Sequence, residues 1–170
     1  MLPLLVGSGP SCEDEHMAAV ARLVTLVDVD GDVVDARSMS VSARHEVALV
    51  DGRRLVLLDG RGWGSSLGRS WVDEVPDGDS WREDVPNIWA VTSVEDIEET
   101  ARVVVGPDEP FDGRSQEDME ADHWAYLAEV LRQQGVVVDA RELERLPHDI
   151  VLSERLLARV GRDPGDAVSP

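Results

Sequence analysis

Lysine is absent from this chain, and all 16 basic residues are arginine. Without lysine there is no Walker-A phosphate loop, no Schiff base to pyridoxal phosphate and no lysine general base. The single cysteine, Cys12, excludes an intramolecular disulfide framework and any zinc site built on cysteine pairs. Asparagine, tyrosine and phenylalanine occur once each, as Asn87, Tyr126 and Phe111. That scarcity points to a high-GC bacterial genome; a saline habitat is the other route to so acidic a composition. No run approaches the ~18 apolar residues of a membrane helix. Met1 to Val6 is apolar, but it lacks a basic start and is too short for a signal-peptide core. The expectation is a cytoplasmic protein with no membrane contact.

What is present fits one domain of 170 residues, long enough to bury a core without disulfide or metal staples. The formal charge is -19, from 35 acidic against 16 basic residues. Such a field argues against direct binding to DNA, RNA or anionic lipid, because phosphate binding needs cations.

The patterning predicts an α+β fold. Residues 1–20 read as a flexible N-terminal segment and 162–170 as a disordered tail, with one domain over 21–161. Within it, 21–58 reads as an antiparallel β-meander of two hairpins. The run Leu23 to Val27 leads into a turn at Asp30-Gly31, with Val33-Val34 continuing. His45 to Val50, a turn at Asp51-Gly52 and Leu55 to Leu58 make the second hairpin. Residues 88–161 read as mainly helical. Ser93 with Asp96, and Ser115 with Asp118, have capping-box spacing. Gly106-Pro107 is expected to stop the first helix through a left-handed glycine, and Gly135 the second. Val136 to Val138 reads as a short buried strand, Asp139 as the cap of a brief helix, and Ser153 to Val160 as a last helix.

Between the halves, 59–87 reads as a long connection rich in tryptophan and acids, a length that usually signals function or unrecognised structure. It holds a near-repeat, Ser70-Trp71-Val72-Asp73-Glu74-Val75-Pro76 and Ser80-Trp81-Arg82-Glu83-Asp84-Val85-Pro86. Two copies are too few for a solenoid.

Several motifs invite a catalytic reading. Gly64-Ser65-Ser66-Leu67-Gly68 matches the nucleophile elbow, with His123 or His148 as partner of Ser66. The elbow needs a following helix, and Arg69 to Pro76 is a poor one. Gly60-Arg61-Gly62-Trp63-Gly64 lacks the third glycine of a phosphate-binding loop and reads as a bend. Asp28-Val29-Asp30-Gly31-Asp32 begins like a calcium loop, yet its glycine falls at position four and Met39 at position twelve. Glu120 and His123 form one Glu-x-x-His pair, where di-iron bundles use two pairs plus further glutamates. His16, His45 and His148 have no spacing partners and read as surface or boundary residues. No cofactor and no resident metal are expected.

Clustered acid remains. Residues 70–86 carry six acids against one arginine, and residues 108–122 carry seven against one, together -11 of the -19. Trp63, Trp71, Trp81 and Trp89 lie in or beside the long connection. Tryptophan is enriched among binding hot spots, and carboxylates around it steer a basic partner. The reading is therefore a non-enzymatic acidic protein, monomer or homodimer, that masks a basic protein partner. Small immunity proteins against nuclease-like toxins have this profile of composition. Trp71, Trp81, Asp73, Glu74, Glu83 and Asp84 are the expected contacts, flanked by Trp63 and Trp89. The alternatives are an accessory subunit of a larger bacterial assembly, or a small hydrolase using Ser66 or a metal at Glu120 and His123.

Overall fold

A computed structural model describes residues 19–31, 36–67 and 87–160. Strands β1 (Val20–Val29), β2 (Ser38–Leu49) and β3 (Arg54–Ser66) form an antiparallel meander, two hairpins sharing their middle strand. The alternation of β2 sets its faces. Met39, Val41, Ala43, His45, Val47 and Leu49 are buried, while Ser40 and Arg44 between them are exposed. A fourth strand, β4 (His148–Leu152), joins β1 in parallel, so the sheet order is β3-β2-β1-β4. The fold is α+β, as its patterning predicts.

Helices α1 (Ile88–Val91), α2 (Val94–Val105), α3 (Gln116–Gln133), α4 (Ala140–Glu144) and α5 (Glu154–Leu157) supply the second layer. Both expected capping boxes form. The Ser93 hydroxyl accepts from the Asp96 N–H at 3.0 Å, and the Asp96 carboxylate accepts from the Ser93 N–H at 3.1 Å. Ser115 and Asp118 repeat the exchange at 3.1 Å in both directions. Helix α3 ends at Gly135, whose φ of 83° is the left-handed conformation that favours glycine. The Gly135 N–H reaches the Arg132 carbonyl and the Val136 N–H reaches the Leu131 carbonyl, the paired bonds of a Schellman motif.

The inner face of the sheet and the helices enclose two apolar clusters. One gathers Leu23, Val47, Leu127, Leu131 and Leu143; the other gathers Val27, Val41, Ile97, Ala101 and Leu156. The half-buried Trp63 packs against both.

Four local expectations are corrected. The chain does not turn back at Asp30-Gly31; β1 pairs through Val29 with Val41, and β2 begins only at Ser38. Residues 32–35, including Val33 and Val34, lie outside the described residues. Strand β3 runs on through the glycines taken for a bend, because Gly60, Gly62 and Gly64 alternate with Arg61, Trp63 and Ser65 in strand period. Glycine is needed at position 62: a Cβ there would lie 2.5 Å from the Val41 carbonyl oxygen of β2. Gly106 is not left-handed; its φ is -78°, and its N–H bonds the Val103 carbonyl. Val136 to Val138 makes no ladder. Val136 instead turns into the core as the residue after the helix-ending glycine, and β4 takes the place beside β1. The segments read as a flexible N-terminus and a disordered tail lie outside the described residues, apart from Ala19 and Val20.

Gly62→Ala should cost about 1–3 kcal/mol, because a backbone carbonyl must move to admit the methyl. Gly64→Ala, whose nearest contact would be at 3.4 Å, should cost under about 1 kcal/mol. Urea denaturation of the two variants makes the comparison.

Candidate functional site

Of the residues expected at a partner surface, Trp71, Trp81, Asp73, Glu74, Glu83 and Asp84 lie outside the described residues. Trp63 and Trp89 are described, and both indoles are used in packing. Trp63 sits opposite Val41 on the inner face of the sheet. Trp89 is 3% exposed, held in the one-turn helix α1 whose cap is the Asn87 side chain, with the Arg159 guanidinium 5.7 Å from its ring centre.

The second acidic segment, 108–122, is described throughout. It links α2 to α3 and includes the first turns of α3. Asp108, Glu109, Asp112, Glu117, Asp118 and Asp122 are exposed and Glu120 is half-buried. Two of these acids are matched by arginine: Asp108 by Arg61 at 3.3 Å, and Asp122 by Arg114. Arg114 also reaches the Asp118 carbonyl at 3.3 Å, while Glu109, Asp112, Glu117 and Glu120 have no ion-pair partner among the described residues. A tight turn shapes the segment. Asp112 and Gly113 both have positive φ, 52° and 77°, and the Arg114 N–H closes on the Phe111 carbonyl at 3.0 Å. That is the turn an Asp-Gly pair favours. It leaves Phe111 53% exposed, and along α3 Tyr126 is 56% exposed.

Beside this rim lies a cleft of about 410 Å³ between α3 and α4, lined by Glu117, Glu120, Ala121, Trp124, Ala140, Arg141 and Glu144. The half-buried Trp124 packs against the apolar core and meets the His123 ring edge-on at 5.1 Å. Three carboxylates against one guanidinium give this cleft the sign of the whole molecule.

The other polar centre was not expected. His45 is no surface residue; it is 1% exposed on the inner face of β2, directly opposite Thr25 of β1, which is 0% exposed. The Thr25 hydroxyl lies 2.8 Å from His45 Nδ1 and 2.8 Å from His148 Nε2, so one oxygen joins residues of three adjacent strands. The two imidazoles stand edge-on with centres 5.0 Å apart. A hydroxyl has one proton, so it donates to one ring and accepts from the other. Burial, with His148 and His123 opposing a further positive charge, pushes His45 down to about 3. Burial lowers His148 too, helped by Arg102 and opposed by Asp149. His123 is lowered by burial and Arg61, opposed by Asp108, and its Nε2 is buried without a hydrogen-bond partner among the described residues. The signal was in the sequence: a threonine and a histidine each interrupt an otherwise apolar strand stripe.

These positions bear on the catalytic alternatives. Ser66 pairs with Ser38 at the end of β3, whereas its candidate partner His148 pairs with Leu23, whose β2 neighbour Val47 faces Leu55, eleven residues back along β3. At ~3.3 Å per residue that is roughly 36 Å of strand. Glu120 lines the α3–α4 cleft, while His123 interacts with Arg61 and Asp108. Among the described residues no group of three or more His, Cys, Asp or Glu side chains is placed to hold a metal ion. No known family model, curated protein or solved structure matches the chain.

Thr25→Val keeps the shape and removes the bridge, leaving two imidazoles to find other partners. It should cost about 1–3 kcal/mol at pH 7 by urea denaturation. The wild type should also weaken in acid. As pH falls below the ordinary 6.5, the unfolded chain binds protons that the folded His45 refuses until about 3. Stability is therefore full above 6.5 and declines toward 3, by up to about 1.4 kcal/mol per pH unit for a single histidine. A flat profile between pH 7 and 5 would contradict the buried neutral state.

Proposed function

We propose that the chain is a non-enzymatic acidic binding protein that masks a basic protein partner, as an immunity or inhibitor protein acts on a nuclease-like toxin. The observation that carries this reading is the 108–122 rim, a segment with exposed carboxylates that also holds the half-exposed Phe111, whose ring centre lies 6.0 Å from the Arg114 guanidinium, with Tyr126 exposed on the helix that the rim begins. An aromatic ring supplies contact area and the surrounding acids supply long-range attraction. Clustering supports the reading further. Elsewhere ion pairs such as Arg22–Asp149 and Arg53–Asp51 match acid to base, whereas the rim carries seven acids against the single Arg114. A cationic active site that grips nucleic acid is the kind of surface such a rim would cover.

The test is affinity capture at low salt from lysate of the source organism, followed by a salt step. The wild type should release one basic protein on the salt step, because screening weakens exposed charge pairs. The variant Glu109→Gln/Asp112→Asn/Glu117→Gln removes three unmatched charges and should bind that protein at least tenfold more weakly. Capture of a fixed set of proteins, indifferent to salt and to the neutralised rim, would replace this reading with that of an assembly subunit. Capture of nothing would contradict both.

A further inference from the structure

The histidine node lies where the sheet is most weakly held. Strand β4 has five residues and, among the described residues, stands at the sheet edge and pairs with β1 alone, from Leu23↔His148 to Val27↔Leu152. Polar side-chain links described there besides the node are the exposed Arg22–Asp149 ion pair at 2.8 Å, and Ser153 to Asp28 just beyond its end. Exposed ion pairs contribute little. Ile150 and Leu152 pack against the cluster of Val27 and Ile97, and the bond from His148 Nε2 to Thr25 Oγ1 is the polar link from β4 to the buried sheet face.

The proton count of that link is limited. With both histidines neutral, the Thr25 hydroxyl donates to one imidazole and accepts from the other. One added proton on His148 still fits, since its Nε2–H donates to Thr25 and the Thr25 O–H donates to His45 Nδ1. A second does not fit. Both rings would then donate, the Thr25 proton would lose its acceptor, and two cations would face each other across 5.0 Å. The surroundings oppose even the first charge. His123 on α3 and Arg102 on α2 face the pair, Arg61 stands behind His123, and among the described residues Asp149 and Asp108 answer them.

We propose that Thr25, His45 and His148 form an acid-sensitive latch, which holds β4 against β1 at neutral pH and loosens it as acidity rises. Leu143 before the strand and Leu156 after it are both fully buried, so they anchor its flanks while the edge strand opens between them. The open strand presents His148 to water, where it binds a proton at its ordinary pKa. Below about pH 6.5 the opening constant of β4 then rises by up to tenfold per pH unit as His148 is set free. The device is independent of what the acidic rim binds.

Hydrogen exchange of the intact protein tests it, at pH 6.5 and 5.5 after correction for intrinsic rates. Protection over residues 148–153 should fall several-fold, up to tenfold, while β2 keeps its own. His148→Gln retains an amide that can bond Thr25 but does not titrate, and it should abolish most of that fall. Equal loss of protection in β4 and β2 would mean global acid unfolding and would overturn the latch. So would an unchanged pH response in the glutamine variant. If that variant fails to fold, the contrast between β4 and β2 in the wild type decides alone.

Discussion

One hydroxyl oxygen, Thr25 Oγ1, stands at the centre of the inner sheet face and joins β1 to the strands on both sides. The three side chains of the node obey the rule that polar atoms removed from water must bond one another. The two apolar clusters flank this point along the sheet, with Leu23 and Val47 on one side and Val27 and Val41 on the other. An apolar pair at 25 and 45 would have allowed one continuous core. The chain keeps a hydrogen-bonded seam there, and that seam depends on imidazoles that remain uncharged.

Charge is handled in the opposite way on the outside. Among the described residues the acids gather on the α2–α3 connection and at helix starts, and much of the arginine is matched by a nearby carboxylate. Glu46 shows how strict the matching is where burial is involved: at 2% exposure it sits between the guanidinium groups of Arg44 and Arg54. An interior arranged around neutral rings and an exterior with unmatched negative charge make two separate electrostatic systems, one answering to pH and one to salt.

Much of the fold was legible because short-range rules dominate it. Ser93, Ser115, Asp139 and Ser153 were readable as helix caps, since a cap needs only a short polar side chain and a backbone N–H two or three residues on. The meander was readable from strand alternation. What was missed depends on partners distant in the chain. Nothing local distinguishes His148 to Leu152 from a helical stretch until β1 offers an edge, 125 residues earlier at Leu23↔His148. The glycines of β3 suggested a bend because their reason, the close Val41 carbonyl, belongs to another strand. The acidic rim was visible as charge, but the Asp112-Gly113 turn that turns Phe111 outward went unread. The histidine node was invisible to a search by spacing, because Thr25, His45 and His148 converge only through sheet pairing.

The seam at Thr25 holds only while His45 stays uncharged. A pH titration of the protein labelled with 15N in its histidine rings measures that state at the atom. A neutral His45 ring that keeps a single tautomer from pH 7.5 down to the onset of acid unfolding is the predicted result. A His45 that titrates freely near 6.5 in the folded protein would contradict the dry seam and the latch built on it.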